Sequence, residues 1–158
     1  MSVKASAETL RSIPIFADCD SVHLQVVAFS AERQQFQAGE NIIVQGKIGS
    51  AAFLVLSGKA ELWRDDGAGA AAIGEAGPGA FLGEVAMIAE RSYSLTATAI
   101  DPVDTVKIDR NLFLRVAEEY PEFGAKVFQT LSKRLDDSLA DLGGAKSLLD
   151  RAKSFSTL

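Results

Sequence analysis

The chain predicts a mainly β fold, a β-roll or barrel flanked by helices, and three observations carry that expectation. Between Arg33 and Ile108, short strand-like runs alternate with glycine-containing turns. Before and after that stretch, apolar residues recur at helical rather than strand spacing. Runs such as Ala52 to Leu56 are apolar on both parities, so they need cover on both faces, and a roll packed against helices supplies it.

Ala7 to Ile13 and Ser21 to Phe29 read as short helices separated by Pro14. Asp20 stands at the N-cap of the second, with Leu24, Val27 and Ala28 at helical spacing. Strands follow at Gln34 to Phe36, Asn41 to Val44, Ala51 to Leu56, Ala60 to Arg64 and Ala70 to Glu75. The turns between them are marked by Ala38-Gly39, Gln45-Gly46, Ser57-Gly58 and Pro78-Gly79. Asp66 to Ala80, rich in Ala and Gly, reads as a hairpin loop, a weak strand and a turn. Ser94 to Ile100 and Thr105 to Ile108 are strand-like again, joined through Asp101-Pro102. The period then lengthens: Asp109 caps a helix through Glu119, and Pro121 opens a longer one to about Leu142. Gly143-Gly144 ends it, and Ala145 to Phe155 forms a short amphipathic tail.

Composition bounds the function. A chain of 158 residues with 47% hydrophobic and 23% charged residues suits one domain with a real core, and no apolar run approaches the length of a membrane span. The opening MSVKASAETLRSI lacks the apolar segment of a secretory signal, so a cytoplasmic location is expected. A net charge of −5 argues against a nucleic-acid partner. With one cysteine, Cys19, no internal disulfide forms, and with one histidine, His23, no histidine-rich metal site forms, so no metal or other cofactor is expected. Neither residue has a nucleophile or base constellation around it, and no enzyme is expected.

The run Phe81 to Ala99, FLGEVAMIAERSYSLTATA, says most about function. A Gly ahead of one helical turn lets the backbone approach a ligand closely, and the N–H groups at a helix start suit an anion. Glu84 stands beside them, able to accept hydrogen bonds from ligand hydroxyls. This Gly-Glu-apolar-Ala run followed by a strand resembles the phosphate-binding cassette of the cyclic-nucleotide-binding domain family. Further phrases follow the family's order: Ile13-Pro14-Ile15-Phe16, Gly39-Glu40-Asn41-Ile42, Gln45-Gly46, Gly58-Lys59-Ala60, and Pro78-Gly79-Ala80-Phe81 leading into Gly83-Glu84. The likeness covers roughly Leu10 to Leu135.

The resemblance implies an eight-stranded, jelly-roll-like β-roll with N-terminal helices and a C-terminal helical lid. The expected layout is one domain over 1–142, with helices in 7–29, the roll in 33–108, C-terminal helices in 109–142 and a tail over 143–158. It assigns ligand contact to Phe81, Gly83, Glu84, Val85 and Ala86, with Glu84 on the ribose hydroxyl, and a cyclic nucleotide as ligand, cyclic AMP ahead of cyclic GMP. The family clamps the cyclic phosphate with an Arg that follows a Pro. Here the matching positions read Ser92, Tyr93 and Ser94, and the clamp is missing. A phenol donates one hydrogen bond where a guanidinium offers a charged fork, and losing a buried charged partner costs about 2–5 kcal/mol, roughly 30-fold to several thousand-fold in affinity. Arg91, two residues earlier, is a candidate substitute or a solvated loop charge, and Ser94 and Thr96 are candidate contacts or ordinary half-exposed strand residues.

The last long helix offers a second surface. Gly124, Val127, Phe128, Leu131, Leu135, Leu139 and Leu142 share one face, and the resemblance makes Leu131, Leu135, Leu139 and Leu142 the expected contacts of a homodimer. The residues after Gly144 are too few for the helix-turn-helix that many bacterial relatives carry. The expected function is therefore a stand-alone regulatory module with a weakened or altered cassette, signalling through an unidentified protein partner. The alternative is an interaction or scaffold domain whose pocket is empty or filled by its own side chains, with Phe155 and the tail as a candidate plug.

Overall fold

The computed structural model describes residues 3–136. In chain order the elements are α1 (Val3–Arg11), a 3-10 turn (Pro14–Phe16), α2 (Ser21–Ser30), β1 (Glu32–Phe36), β2 (Asn41–Ile43), β3 (Ala51–Ser57), β4 (Ala60–Asp65), β5 (Ala70–Ala76), β6 (Phe81–Leu82), α3 (Glu84–Ala89), β7 (Thr96–Ala99), β8 (Val103–Asp109), α4 (Arg110–Glu119) and α5 (Pro121–Asp136). Among the described residues they gather into two compact units, one of residues 31–110 and one of residues 3–30 with 111–136.

The first unit is the roll. Its eight strands form two four-stranded sheets, ordered β1-β8-β3-β6 and β2-β7-β4-β5, and every pairing is antiparallel. Alternate residues of β7, Ala97 and Ala99, are buried while Thr96 and Thr98 are half-exposed, the period of two that one covered face requires. Phe36, Phe53, Val55, Leu82 and Val103 of one sheet and Ile42, Ile43, Ala60, Ala76, Ala97 and Ala99 of the other share one apolar cluster, and Phe36 and Phe53 meet edge to face at 5.7 Å. Residues 51–55 are buried on both parities, as their continuous apolar run predicts.

The second unit is helical. Asp20 accepts a hydrogen bond from the Val22 N–H at 3.0 Å, the expected N-cap of α2. Pro14 opens a 3-10 turn rather than simply breaking the chain, because its fixed φ and missing N–H suit a first helical position. Phe123 is the hub of an aromatic cluster, stacked on Phe16 at 6.1 Å, tilted against Phe113 at 5.8 Å and edge-on to His23 at 6.2 Å, while Phe113 also meets Phe128. No helix among the described residues is long and apolar enough to cross a membrane.

The strand expected from Ser94 starts two residues later, at Thr96, because Tyr93 is drawn into main-chain bonds with residues 46–47. The two-residue β6 was not expected as a strand and forms by pairing with Phe53 and Leu54. Strand β8 begins at Val103 rather than Thr105, since it pairs on both sides, with β1 and β3. In β5, Ile73 is an extra residue between the pairs Leu62–Gly74 and Trp63–Ala72, a bulge on an edge strand. Helix α5 is described to Asp136; the expected continuation to Leu142, the tail and Phe155 lie outside the described residues.

Candidate ligand-binding site

The site is built around the start of α3. Gly83 takes the N-cap position with φ +86° and ψ 17°, a left-handed conformation that strains any residue with a side chain. It is also crowded: a Cβ there would lie 2.7 Å from a Tyr93 ring carbon and 3.1 Å from the Ala51 carbonyl oxygen. Glu84 begins the helix, and the Met87 N–H donates to the Gly83 carbonyl at 3.0 Å, closing its first turn. Ala86, Met87 and Ile88 are buried and anchor the turn; Glu84 and Val85 are half-buried. The helix stops at Glu90, a non-glycine residue at φ 56° whose N–H donates to the Ala86 carbonyl.

From Glu90 the chain doubles back along residues 46–49. The Gly49 N–H donates to the Arg91 carbonyl at 2.9 Å, Ile48 and Ser92 form an antiparallel bridge, the Tyr93 N–H donates to Lys47 at 2.8 Å, and the Gly46 N–H donates to Tyr93 at 3.0 Å. This strap aims the Tyr93 side chain inward. Its hydroxyl donates to the Ala51 carbonyl at 2.7 Å, and its ring packs against the apolar cluster of the roll. Burial pushes the phenol above its ordinary pKa of 10.0, against the lowering effect of main-chain hydrogen bonds at Ala51 and Ser50 and of the Arg110 charge, so it is neutral at pH 7.

Arg110 is a cation near this site. Its Nε donates to the Met87 carbonyl at 2.6 Å, and its Nη2 donates to the carbonyls of Ala86, at 3.0 Å, and Gly49. Its own N–H donates to the Ser50 carbonyl at 2.7 Å. The guanidinium thus sits at the C-terminal end of α3, where exposed carbonyls favour positive charge, and ties that turn to the strap.

The expected site residues fall into two groups. Gly83, Glu84, Val85, Ala86 and Tyr93 come together around the α3 turn, with Phe81 half-buried on β6 two residues ahead. Ser94 is exposed, and its carbonyl accepts from Arg64 Nε at 3.4 Å. The Thr96 hydroxyl accepts from the Gln45 N–H at 2.9 Å, which holds the 45–46 turn onto β7. Arg91 is half-buried, its N–H directed to the Ala86 carbonyl at 3.2 Å. Of the expected dimer contacts, Leu131 is buried within the single chain, 1% exposed. The Leu135 side chain, Leu139 and Leu142 lie outside the described residues.

Sequence reasoning missed Gly49 and Arg110. A Cβ on Gly49 would lie 2.6 Å from the Ala86 Cβ and 2.7 Å from the Tyr93 ring, so its bareness serves packing and leaves no turn signature to read. No group of three or more His, Cys, Asp or Glu among the described residues is arranged to hold a metal.

The family profile described as "Cyclic nucleotide-binding domain" matches residues 33–120, more than half of the chain. A curated relative, Lysophospholipase NTE1 of Pyricularia oryzae, is 33% identical over 110 residues, which make up 69% of this chain but only 7% of that protein. Among solved structures, a cyclic nucleotide-binding-like protein from Brucella abortus superposes with a TM-score of 0.66 at 29% identity, covering 72% of this chain and 98% of that one. The catabolite activator protein of Thermus thermophilus superposes with a TM-score of 0.68 at 25% identity, covering 82% and 62%. Its two-sheet roll, its Gly-Glu turn at Gly83 and the extent of the profile match place the chain in the cyclic nucleotide-binding domain family.

Proposed function

We propose that the chain is a regulatory module whose phosphate recognition is weakened or altered relative to its family, and that it acts through a protein partner rather than by catalysis. The observation that supports this most is the use made of Tyr93: a neutral phenol, directed to the Ala51 carbonyl, stands where the family places a guanidinium. Arg110, a nearby cation, directs its Nε and Nη2 to three main-chain carbonyls. What remains for a cyclic nucleotide is the turn from Gly83 to Ala86, the Glu84 carboxylate for a ribose hydroxyl, and neighbouring contacts at Phe81, Val85, Arg91, Ser94 and Thr96. A helix start contributes about 0.3–2 kcal/mol, against about 2–5 kcal/mol for a buried charged partner, so the turn alone does not replace the clamp. The share of NTE1 that aligns is small, so its activity is not carried to this chain.

Calorimetric titration with cyclic AMP and cyclic GMP tests the reading, with native protein and Tyr93→Arg run in parallel. The expected result is native binding weaker than that of the variant by at least about 30-fold. Native binding as tight as the variant's would overturn it. A partner role and a homodimer belong to the same proposal, and sedimentation of the full chain over a concentration series reports the second.

A further inference from the structure

The Tyr93 ring does more than fail to supply a charge. It lies in a slot bounded by two glycines, its Cε1 carbon 2.7 Å from where a Cβ would stand on Gly49 and equally 2.7 Å from where one would stand on Gly83. Its hydroxyl crosses to the Ala51 carbonyl, 42 residues away in sequence, and its inner edge joins the roll's apolar cluster. The strap that carries it is made of main-chain bonds at residues 46–49 and 91–93, so the Cα position does not depend on the side-chain rotamer. None of these strap bonds uses the phenol ring.

We propose that Tyr93 is an internal occupant of the ligand site, its ring holding the space beside Gly83 that an entering anionic group needs, so that such a group is excluded sterically. This rests on the reading of the Gly83–Ala86 turn as the phosphate subsite. It differs from a merely missing clamp in what vacating the slot does: removing the ring without adding charge opens the site.

Four versions of this chain separate the two ideas: native, Tyr93→Phe, Tyr93→Ala and Tyr93→Arg. Each is titrated calorimetrically with cyclic AMP and melted with and without millimolar p-cresol, a free copy of the tyrosine side chain. The expected result is that Tyr93→Ala binds cyclic AMP at least about tenfold more tightly than both native and Tyr93→Phe. In the same series p-cresol raises the melting temperature of Tyr93→Ala and leaves the native value unchanged. Should Tyr93→Ala not fold, Tyr93→Leu keeps an apolar side chain on the core cluster while vacating the outer part of the slot, and takes its place. If Tyr93→Ala binds no better than native while Tyr93→Arg gains affinity, the occupant proposal is overturned and the altered-cassette reading stands. If neither variant gains affinity, both fall. If p-cresol raises the native melting temperature as much as the variant's, the slot is open in the native protein and the proposal is overturned.

Discussion

Replacing Arg110 with Ala removes a half-buried guanidinium that donates to Met87 at 2.6 Å, to Ala86 at 3.0 Å and to Gly49, and leaves three carbonyls to find other partners. Hydrogen bonds from a charged donor contribute about 1.5–3 kcal/mol each, but three bonds from one side chain are not additive, and a half-exposed site lets water recover part of the loss. Loss of the cation at the C-terminal end of α3 adds about 0.3–1 kcal/mol. The expected destabilisation is about 3 kcal/mol, which for a chain of this size lowers the melting temperature by about 6–12 °C. Urea titration followed by circular dichroism measures it. Arg110→Lys should recover only about a third, because one ammonium cannot span three acceptors. The partners are neutral carbonyls, so raising the salt to 0.5 M should leave the native-to-variant difference almost unchanged, unlike that for the exposed Glu122–Lys126 pair at 3.8 Å. A loss below about 1 kcal/mol for Arg110→Ala, or one that vanishes in salt, would refute the reasoning.

Two further perturbations follow from the same geometry. Gly49→Ala places a Cβ 2.6 Å from the Ala86 Cβ and 2.7 Å from the Tyr93 ring, and overpacking of that kind costs about 1–3 kcal/mol. Gly46→Ala meets nothing within 4 Å but carries the strain of φ +88°, about 1–2 kcal/mol, so both destabilise, and only the Gly49 cost should shrink when Tyr93 is shortened to Leu. In pH dependence, burial raises the Tyr93 hydroxyl above 10.0 and takes the Cys19 thiol from 9.0 to about 11. Both groups then hold more protons folded than unfolded, so their contribution is fully present below about pH 9 and is lost as pH climbs through the folded values. Urea midpoints between pH 8 and 11 should fall for native protein and fall less for Tyr93→Phe and for Cys19→Ala; a profile equally steep in all three would contradict this.

The parts of the fold that could be read from the sequence are those whose cause is local. Asp20 caps α2 through an N–H two residues on, Pro121 opens α5 where a missing N–H costs nothing, and the glycines of the hairpin turns adopt positive φ whatever surrounds them. Gly83 was legible for the same reason. Strand β5 was only a weak signal, because six of its seven residues are exposed and β4 and a bulge hold it in place. Tyr93 was legible as a residue of the expected site, while its packing was not, since Gly49 and Ala51 lie 44 and 42 residues away and only folding brings them to the ring. Arg110 is a harder case still: at the first position of α4, 61 residues from Gly49, nothing in its sequence neighbourhood distinguishes it from a solvated charge.

The two descriptions of position 93 lead to different expectations about what natural or engineered change there does. If Tyr93 were only the residue left after an arginine was lost, substitutions would change ligand affinity with little effect on the fold, as at a vacant surface position. The ring instead contributes a 2.7 Å hydrogen bond to Ala51 and apolar contact with the roll's core. A neutral hydrogen bond stabilises by about 0.5–1.5 kcal/mol, and truncating a half-buried aromatic side chain costs more. Stability should therefore fall in the order native, Phe, Leu, Ala at position 93 while access to the Gly83 turn rises in that order. A ligand able to displace the ring must supply free energy comparable to what the ring contributes, and its apparent affinity is reduced by the fraction of time the slot stands open. Weak binding by the native chain would then reflect competition with its own side chain, and shortening that side chain should strengthen binding even though no charge is added.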